Sequence, residues 1–196
     1  MKKTVHRVFL FLLCLATVAC GSSPTPRYYL LNAAAGPQAS NAKSEQIIGI
    51  GPIDFPSYLD RSQLVVRRGV ELELLEYQRW AEPLAENFMN VLAESIARQA
   101  STDQVLVYPW ANAQRIDRRI RGKVTRFDVD ESGQAVLMVR WQIHNGDGQV
   151  LVPARRSEFT RTATTGGGAS MVTALSGLID ALGAKITTAL DNTEGE

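Results

Sequence analysis

The first twenty residues constrain this chain more than any other stretch, because they decide which part of it has to fold. Three basic residues, Lys2, Lys3 and Arg7, precede the apolar run VFLFLLCLATVA at 8–19. A basic start, an apolar stretch of about 7–15 residues and small residues before a cleavage point are typical of a secretory signal. The run is too short for a membrane-spanning helix, which needs about 20 apolar residues. We therefore expect residues 1–19 to be removed.

Cys20 stands directly after this leader. Together with the small residues before it, Cys20 resembles the lipobox of bacterial lipoproteins, although Thr17 occupies a position where Leu is usual. The resemblance implies a diacylglycerol on the thiol of Cys20 and an N-acyl chain, such as palmitate, on its amino group. An ordinary secretory signal with a cysteine near its cut and an uncleaved amino-terminal anchor are the alternatives.

Removal of the leader changes the charge and the cysteine content. The mature chain of 177 residues keeps 18 basic and 20 acidic side chains, so its net charge is −2. This balance argues against nucleic acid as a partner and against a polybasic contact with anionic lipid. Because Cys14 leaves with the leader, Cys20 is the remaining thiol and no internal disulfide can form. A chain of this size can be stabilised by packing alone.

Periodicity predicts both layers of the fold. Eight stretches have the apolar or alternating pattern of strands: 28–31, 46–52, 64–67, 70–74, 104–107, 116–130, 135–143 and 149–162. We expect Pro52 to end the second strand and a bulge near residues 125–126, where the apolar register changes face. Turns are expected at Arg68-Gly69 and, more strongly, at Asn145-Gly146.

Two segments have helical spacing of apolar residues, 83–99 and 171–190. Ser170 is expected to cap the second helix, and Gly177 and Gly183 are expected to allow its close approach to the sheet. The order of elements predicts an α/β (α+β) fold, a two-layer sandwich of a mixed, mostly antiparallel sheet with two main helices. We expect a flexible tether at 20–26 and a single domain at 27–192.

The sequence contains few candidate catalytic residues. His144 is the one histidine of the mature chain and lies beside the Asn145-Gly146 turn, where an exposed hairpin end is the expected setting. The acids Asp128, Asp130 and Glu131 lack the spacing of a calcium loop, and we expect them at a solvated hairpin end. We therefore predict no catalytic residue, no metal site and no cofactor other than the acyl chains on Cys20. A periplasmic hydrolase ranks last among the alternatives.

Two other stretches carry more aromatic and charged side chains than folding alone requires. Trp and Arg are enriched at binding hot spots, and we predict that nine residues of the two stretches contact a partner: Tyr58, Leu59, Asp60, Arg61, Arg79, Trp80, Glu82, Pro83 and Leu84. The competing interpretation is structural. In it, Trp80 covers the end of the core, and Arg61 or Arg79 pairs with Glu82.

These stretches resemble the ABC-type transport auxiliary lipoproteins, and in particular the paraquat-inducible protein C group. The resemblance spans essentially the whole mature chain and rests on Tyr-Tyr-Leu-Leu at 28–31, Ile-Gly-Pro-Ile at 50–53, Tyr-Leu-Asp-Arg at 58–61 and Arg-Trp-Ala-Glu-Pro-Leu at 79–84. Trp141 and the final helix are also in place.

The resemblance implies a non-enzymatic periplasmic lipoprotein of the outer membrane. It would be an accessory subunit of an MCE/ABC-type system that moves lipids between the two membranes and supports membrane integrity, with an MCE-type transport protein as its partner. Gly21 after the cysteine agrees with outer-membrane sorting. Whether the protein forms a homo-oligomer is left open. The alternative function is a periplasmic carrier of lipid or envelope polymer.

Overall fold

The computed structural model describes residues 24–34, 46–100, 102–110, 115–164 and 167–193. The predicted leader at 1–19, Cys20 and residues 21–23 of the predicted tether lie outside the described residues. Within the described ranges the chain forms one sheet of eight strands and two α-helices.

The strands follow one another as β1 (Arg27–Tyr29), β2 (Ile48–Asp54), β3 (Gln63–Arg68), β4 (Glu71–Trp80), β5 (Val105–Val107), β6 (Arg118–Asp130), β7 (Gln134–Asn145) and β8 (Val150–Thr162). Helix α1 (Leu84–Gln99) lies between β4 and β5, and helix α2 (Gly168–Asp191) follows β8. The predicted α/β sandwich with a mixed sheet is therefore confirmed.

Strand β6 organises the sheet. It pairs antiparallel with β7 along nearly its whole length, and β7 pairs antiparallel with β8. Its other edge is shared by β2, parallel at residues 118–123, and β3, parallel at residues 129–130. Strand β5 runs parallel to β2, β4 antiparallel to β3, and β1 parallel to β4. The segment that joins β2 to β3 consequently lies beside the middle of β6.

The core lies between the helices and one face of the sheet. At its centre the ring of Phe88 on α1 makes edge-to-face contacts with Phe55 and Phe127, with centroids 5.1 and 5.3 Å apart. On β7 the residues predicted to share one face are all buried, namely Ala135, Leu137, Val139, Trp141 and Ile143. Burial of these large side chains is the main stabilising contribution to the fold.

The two glycines of α2 have different neighbours. A Cβ at Gly177 would clash with the guanidinium of Arg161 on β8, so here the helix approaches the sheet as predicted. A Cβ at Gly183 would lie 2.5 Å from Oγ of Ser95 on α1. The second glycine thus permits contact between the helices, and its expected approach to the sheet is wrong.

Several local predictions are confirmed. The register shifts between Val124 and Arg126, at the expected bulge. Gly69, with φ of 59°, turns the chain between β3 and β4. At the Asn145-Gly146 hairpin the side-chain oxygen of Asn145 accepts hydrogen bonds from the backbone N–H groups of Asp147 (3.1 Å) and Gln149 (2.8 Å). These features depend on neighbouring residues alone, which is why the sequence reveals them.

Three boundaries differ from expectation. Strand β2 continues past Pro52 to Asp54, because a register shift between Ile50 and Ile53 places the proline where no ladder N–H is needed. Strand β4 continues to Trp80, because β1 pairs with residues 78–80. Helix α2 begins at Gly168 after Gly167, so Ser170 lies inside the first turn and is not the cap.

Among the described helices, α2 alone is long and apolar enough to cross a membrane. More than half of its apolar stretch is buried inside the protein, against α1 and strands β6 to β8. It is therefore explained as a core helix.

We predict that Phe88→Ala lowers the free energy of unfolding by about 3–5 kcal/mol, because it leaves a cavity between two aromatic rings. Denaturant titration followed by circular dichroism measures this change. Val70→Ala, at a side chain that is 98% exposed, is the matched control and should stay within about 0.5 kcal/mol of the wild type. Equal effects of the two substitutions would contradict this description of the core.

Candidate functional site

Residues 55–62 cross from β2 to β3 in a compact turn. Ser57–Leu59 form one turn of 3₁₀ helix, closed by hydrogen bonds from the N–H of Leu59 to Pro56 O (3.0 Å) and of Asp60 to Ser57 O (3.1 Å). Arg61 donates from Nε to the carbonyl oxygen of Tyr58 at 2.6 Å. Pro56 favours the extended entry to this turn, since its φ is fixed near −65°.

A buried carboxylate holds this crossing segment to the sheet. Asp128 on β6 is 1% exposed, and its Oδ2 accepts hydrogen bonds from Tyr58 Oη (2.9 Å) and from Nε and Nη2 of Arg67 (3.0 and 2.7 Å). Its Oδ1 accepts from Nε of Arg126 at 2.7 Å. The guanidinium of Arg67 also lies over the Tyr58 ring, 5.3 Å from its centroid. The carboxylate is thereby fully paired, as a buried charge must be.

The electrostatics of this cluster keep its donors protonated. Burial raises the pKa of the Tyr58 hydroxyl above its usual value, and the neighbouring Asp128 carboxylate raises it further. The hydrogen bond to Asp128 raises the pKa of Arg67. At neutral pH the tyrosine therefore stays a donor and the arginine stays a cation, so the cluster is a fixed structural clamp.

The expectation that Asp128 lies at a solvated hairpin end is wrong. Its neighbours on β6 explain why: Phe127 and Val129 are buried in the core, and the outward carboxylate is covered by Tyr58 and Arg67. Asp130, the last residue of β6, does border a turn, where its Oδ1 accepts hydrogen bonds from the N–H groups of Ser132 and Gln134 at 3.0 Å each. Sequence reasoning missed Arg67 and Arg126 altogether. An acid between two apolar strand residues was the available signal.

An open groove of about 680 Å³ lies between the crossing segment and the entrance of α1. Its buried floor is apolar and comprises Leu59, Trp80 and Leu84, with the half-buried Phe55 beside them. Its exposed rim is polar and comprises Ser57, Asp60, Arg61, Ser62 and Glu82. The backbone N–H of Trp80 donates to Ser62 O at 2.6 Å and closes one end. An apolar floor with a charged rim is the usual composition of a docking surface.

The groove brings the two singled-out stretches together. Seven of the nine predicted contact residues line it: Leu59, Asp60, Arg61, Trp80, Glu82, Pro83 and Leu84. Tyr58 instead faces Asp128, and Arg79 donates to the carbonyl oxygen of Glu76 at 2.9 Å. For all nine residues, contact with a partner stays a prediction. The predicted lipid attachment at Cys20 lies outside the described residues.

The structural interpretation of these stretches is correct in one respect. Trp80 is only 8% exposed and belongs to the core. The expected ion pair with Glu82 is replaced by other contacts, since Arg61 bonds to Tyr58 O and Arg79 lies 3.6 Å from the Glu76 carboxylate.

The structure also shows the surroundings of the remaining candidate residues. His144 is half-buried beside the turn, with Nδ1 3.0 Å from Gly148 O, whereas an exposed position was expected. In the part of the chain that the structure describes, no three His, Cys, Asp or Glu side chains are grouped closely enough to hold a metal ion.

Comparisons with known proteins agree with this architecture. A family model described as the ABC-type transport auxiliary lipoprotein component matches residues 29–187. A crystal structure described as an uncharacterized protein superimposes with a TM-score of 0.70 at 19% identity, covering 85% of this chain and 99% of that chain. A protein from Xanthomonas campestris gives 0.68 at 15% identity, with 86% and 98% covered. These identities establish a shared fold only. Curated protein sequences gave no match.

We predict that Asp128→Asn lowers the free energy of unfolding by about 3 kcal/mol, because two arginines lose the buried carboxylate that they pair with. Chemical denaturation measures the loss. Asp147→Asn, at an exposed turn position, is the matched control and should change stability by less than about 0.5 kcal/mol. An unchanged stability of Asp128→Asn would show that the cluster does not clamp the crossing segment.

Proposed function

The chain belongs to the ABC-type transport auxiliary lipoprotein family, and from that premise we propose that it is a non-catalytic accessory subunit of an MCE/ABC-type intermembrane lipid transport system. It acts from the periplasmic face of the outer membrane and supports the integrity of the envelope. The observation that carries the proposal is the groove, because two stretches twenty residues apart in sequence are assembled into one preformed surface.

Anchoring is the first part of this function. Two or more acyl chains are needed for stable attachment to a bilayer, since one chain gives only marginal binding. The diacylglycerol and N-acyl chain proposed for Cys20 meet this requirement. Residues 21–26 are small, polar and rich in proline, as suits a short spacer before β1. Detection of the acylated amino-terminal peptide by mass spectrometry supports this step, and an unmodified Cys20 contradicts it.

Docking of an MCE-type transport protein is the second part. The clamp at Asp128 fixes one wall of the groove and the start of α1 fixes the other, so little conformational entropy is lost on binding. The rim offers Arg61 and Glu82, one charge of each sign, at exposed positions. A partner surface with an apolar projection and complementary charges fits this arrangement.

We predict that Arg61→Ala or Glu82→Ala weakens the complex with the transport protein about tenfold, because each substitution removes a charge that would pair with the partner across the rim of the groove. Crosslinking and pull-down from intact envelopes measure it. Arg115→Ala and Glu71→Ala remove the same charges from exposed positions away from the groove and are the matched controls. Equal binding by all four variants would remove the groove from the proposal.

A second candidate function is a carrier of lipid or envelope polymer. The groove volume of about 680 Å³ lies within the range of small-molecule sites, and its apolar floor could accept an acyl chain. Phospholipid in a one-to-one ratio with protein purified from envelopes favours this candidate. Protein free of bound lipid that still binds the transport protein favours the accessory role.

A further inference from the structure

Three cations stand in a row across the face of the sheet that points away from the helices. Lys123 of β6 lies directly opposite Arg140 of β7, and Arg140 lies directly opposite Arg156 of β8. All three side chains are exposed. Arg121, two residues before Lys123, is exposed on the same face, because strand side chains alternate. We call these four residues the basic face.

This row is unfavourable for folding. Like charges directly opposite one another on neighbouring strands destabilise a sheet. Of the four cations only Arg156 has an acidic neighbour within ion-pair distance among the described residues, Glu158 at 3.7 Å. Arg121 and Arg140 border a depression of about 300 Å³ together with Asp54, the single acid that lines it. On β2, Asp54 lies in register with Lys123, so one acid stands at the end of the row and three cations outnumber it. An anionic surface outside the protein would balance the remaining positive charge.

Helix α1 on the other layer carries exposed acids, although the sheet also has exposed acids at Asp54, Glu71, Glu73, Glu76 and Glu158. Along α1 the exposed positions include Glu86 and Glu94, and Glu82 precedes them by one helical turn. The net charge of −2 for the mature chain is a sum over the whole surface. This overall balance, which argued against a contact with anionic lipid, therefore does not describe the local charge of the basic face. A negatively charged plane attracts the basic face and repels Glu86 and Glu94 on α1, so it favours one orientation of the domain.

The side of the sheet that carries the basic face extends past β6 to the edge strand β1, which the tether precedes. Asp128 lies on this face, since its register partner Val136 is separated from Arg140 by an even number of residues on β7. Arg67 reaches Asp128 from β3 and belongs to the same side. Strand β3 therefore contributes Arg67 to the side of the sheet that carries the row of cations.

Tyr28 on β1 extends this side to the edge. It lies opposite Arg79 of β4, which lies opposite Gln63, four residues before Arg67 on β3. The Tyr28 side chain is 63% exposed, and tyrosine favours the headgroup layer of a membrane. Residues 21–26, fully extended, span about 20 Å. This exceeds the roughly 14 Å that three strand spacings put between β1 and β6.

We infer that the basic face of the sheet rests on a bilayer surface that carries anionic phospholipid headgroups, with Tyr28 at its edge in the headgroup layer. The inference rests on the proposed anchoring through Cys20 and adds to it a defined orientation. The helix layer then points away from the membrane, and the four cations bind phosphate groups of the lipids.

The test uses the mature acylated chain reconstituted in vesicles of phosphatidylcholine, with or without phosphatidylglycerol. A fluorophore on Ala154→Cys, exposed beside Arg121 and Arg140, reports contact through quenching by headgroup-labelled lipid, and Asn90→Cys on α1 is the matched reporter. We expect quenching at position 154, only with the anionic lipid and lost at high salt, and none at position 90. Equal quenching in both lipid compositions, or none at position 154, overturns the inference.

Removal of charge supplies the second arm. In the anchored protein, some domains rest their basic face on the membrane and the others are held by the acyl chains alone. Lys123→Gln with Arg140→Gln should lower the ratio of the first population to the second on the order of thirtyfold. Arg27→Gln with Arg115→Gln should leave this ratio unchanged. The melting temperature of the first double variant should equal or exceed that of the wild type, since it loses a like-charge contact. Quenching that follows protein density and not lipid charge indicates contact between copies and overturns the inference.

An unacylated Cys20 would defeat the anchoring proposal without deciding the orientation. The same chain is then floated with each kind of vesicle. Flotation with anionic vesicles alone, lost in Lys123→Gln with Arg140→Gln, still supports the basic face as a membrane contact, and no flotation refutes it.

Discussion

A single buried carboxylate, Asp128, determines how the crossing segment between β2 and β3 lies on this sheet. One of its oxygens binds Tyr58 and Arg67, and the other binds Arg126. A buried charge left without partners would cost several kcal/mol. Loss of the carboxylate, or of the donors that pair with it, therefore destabilises the whole cluster. Because Tyr58 belongs to the crossing segment, the position of the groove wall is a consequence of this pairing.

The bulge in β6 separates two kinds of outward surface. Before it, Lys123 stands beside Arg140 without an acid between them. After it, Arg126 faces the carboxylate of Asp128 and is neutralised. The same strand therefore presents an unpaired basic area at one end and a closed ionic cluster at the other. The inward side of β6 is apolar from Ile120 to Val129 and packs under both helices, which leaves the outward side free to carry polar function.

Local patterns predicted most elements, and distant partners explain the failures. The helical spacing of 83–99 and the Asn145-Gly146 turn involve neighbours in sequence, and both are found as expected. Asp128 could not be placed, because the arginine that covers it lies 61 residues earlier in the chain. The residues at 58–61 and 79–84 could be singled out by type. That they face each other depends on the pairing of β1, β3 and β4, which no local pattern reveals.

The account depends on the clamp at Asp128 keeping the crossing segment ordered in the free protein. Native-state hydrogen exchange of the backbone N–H groups of Leu59, Asp60 and Trp80, which donate to Pro56, Ser57 and Ser62, tests this most directly. We expect protection of these groups in the wild type and selective loss in Asp128→Ala, while the N–H groups of α1 and α2 stay protected. Unchanged protection at the three groups in the variant would contradict the account.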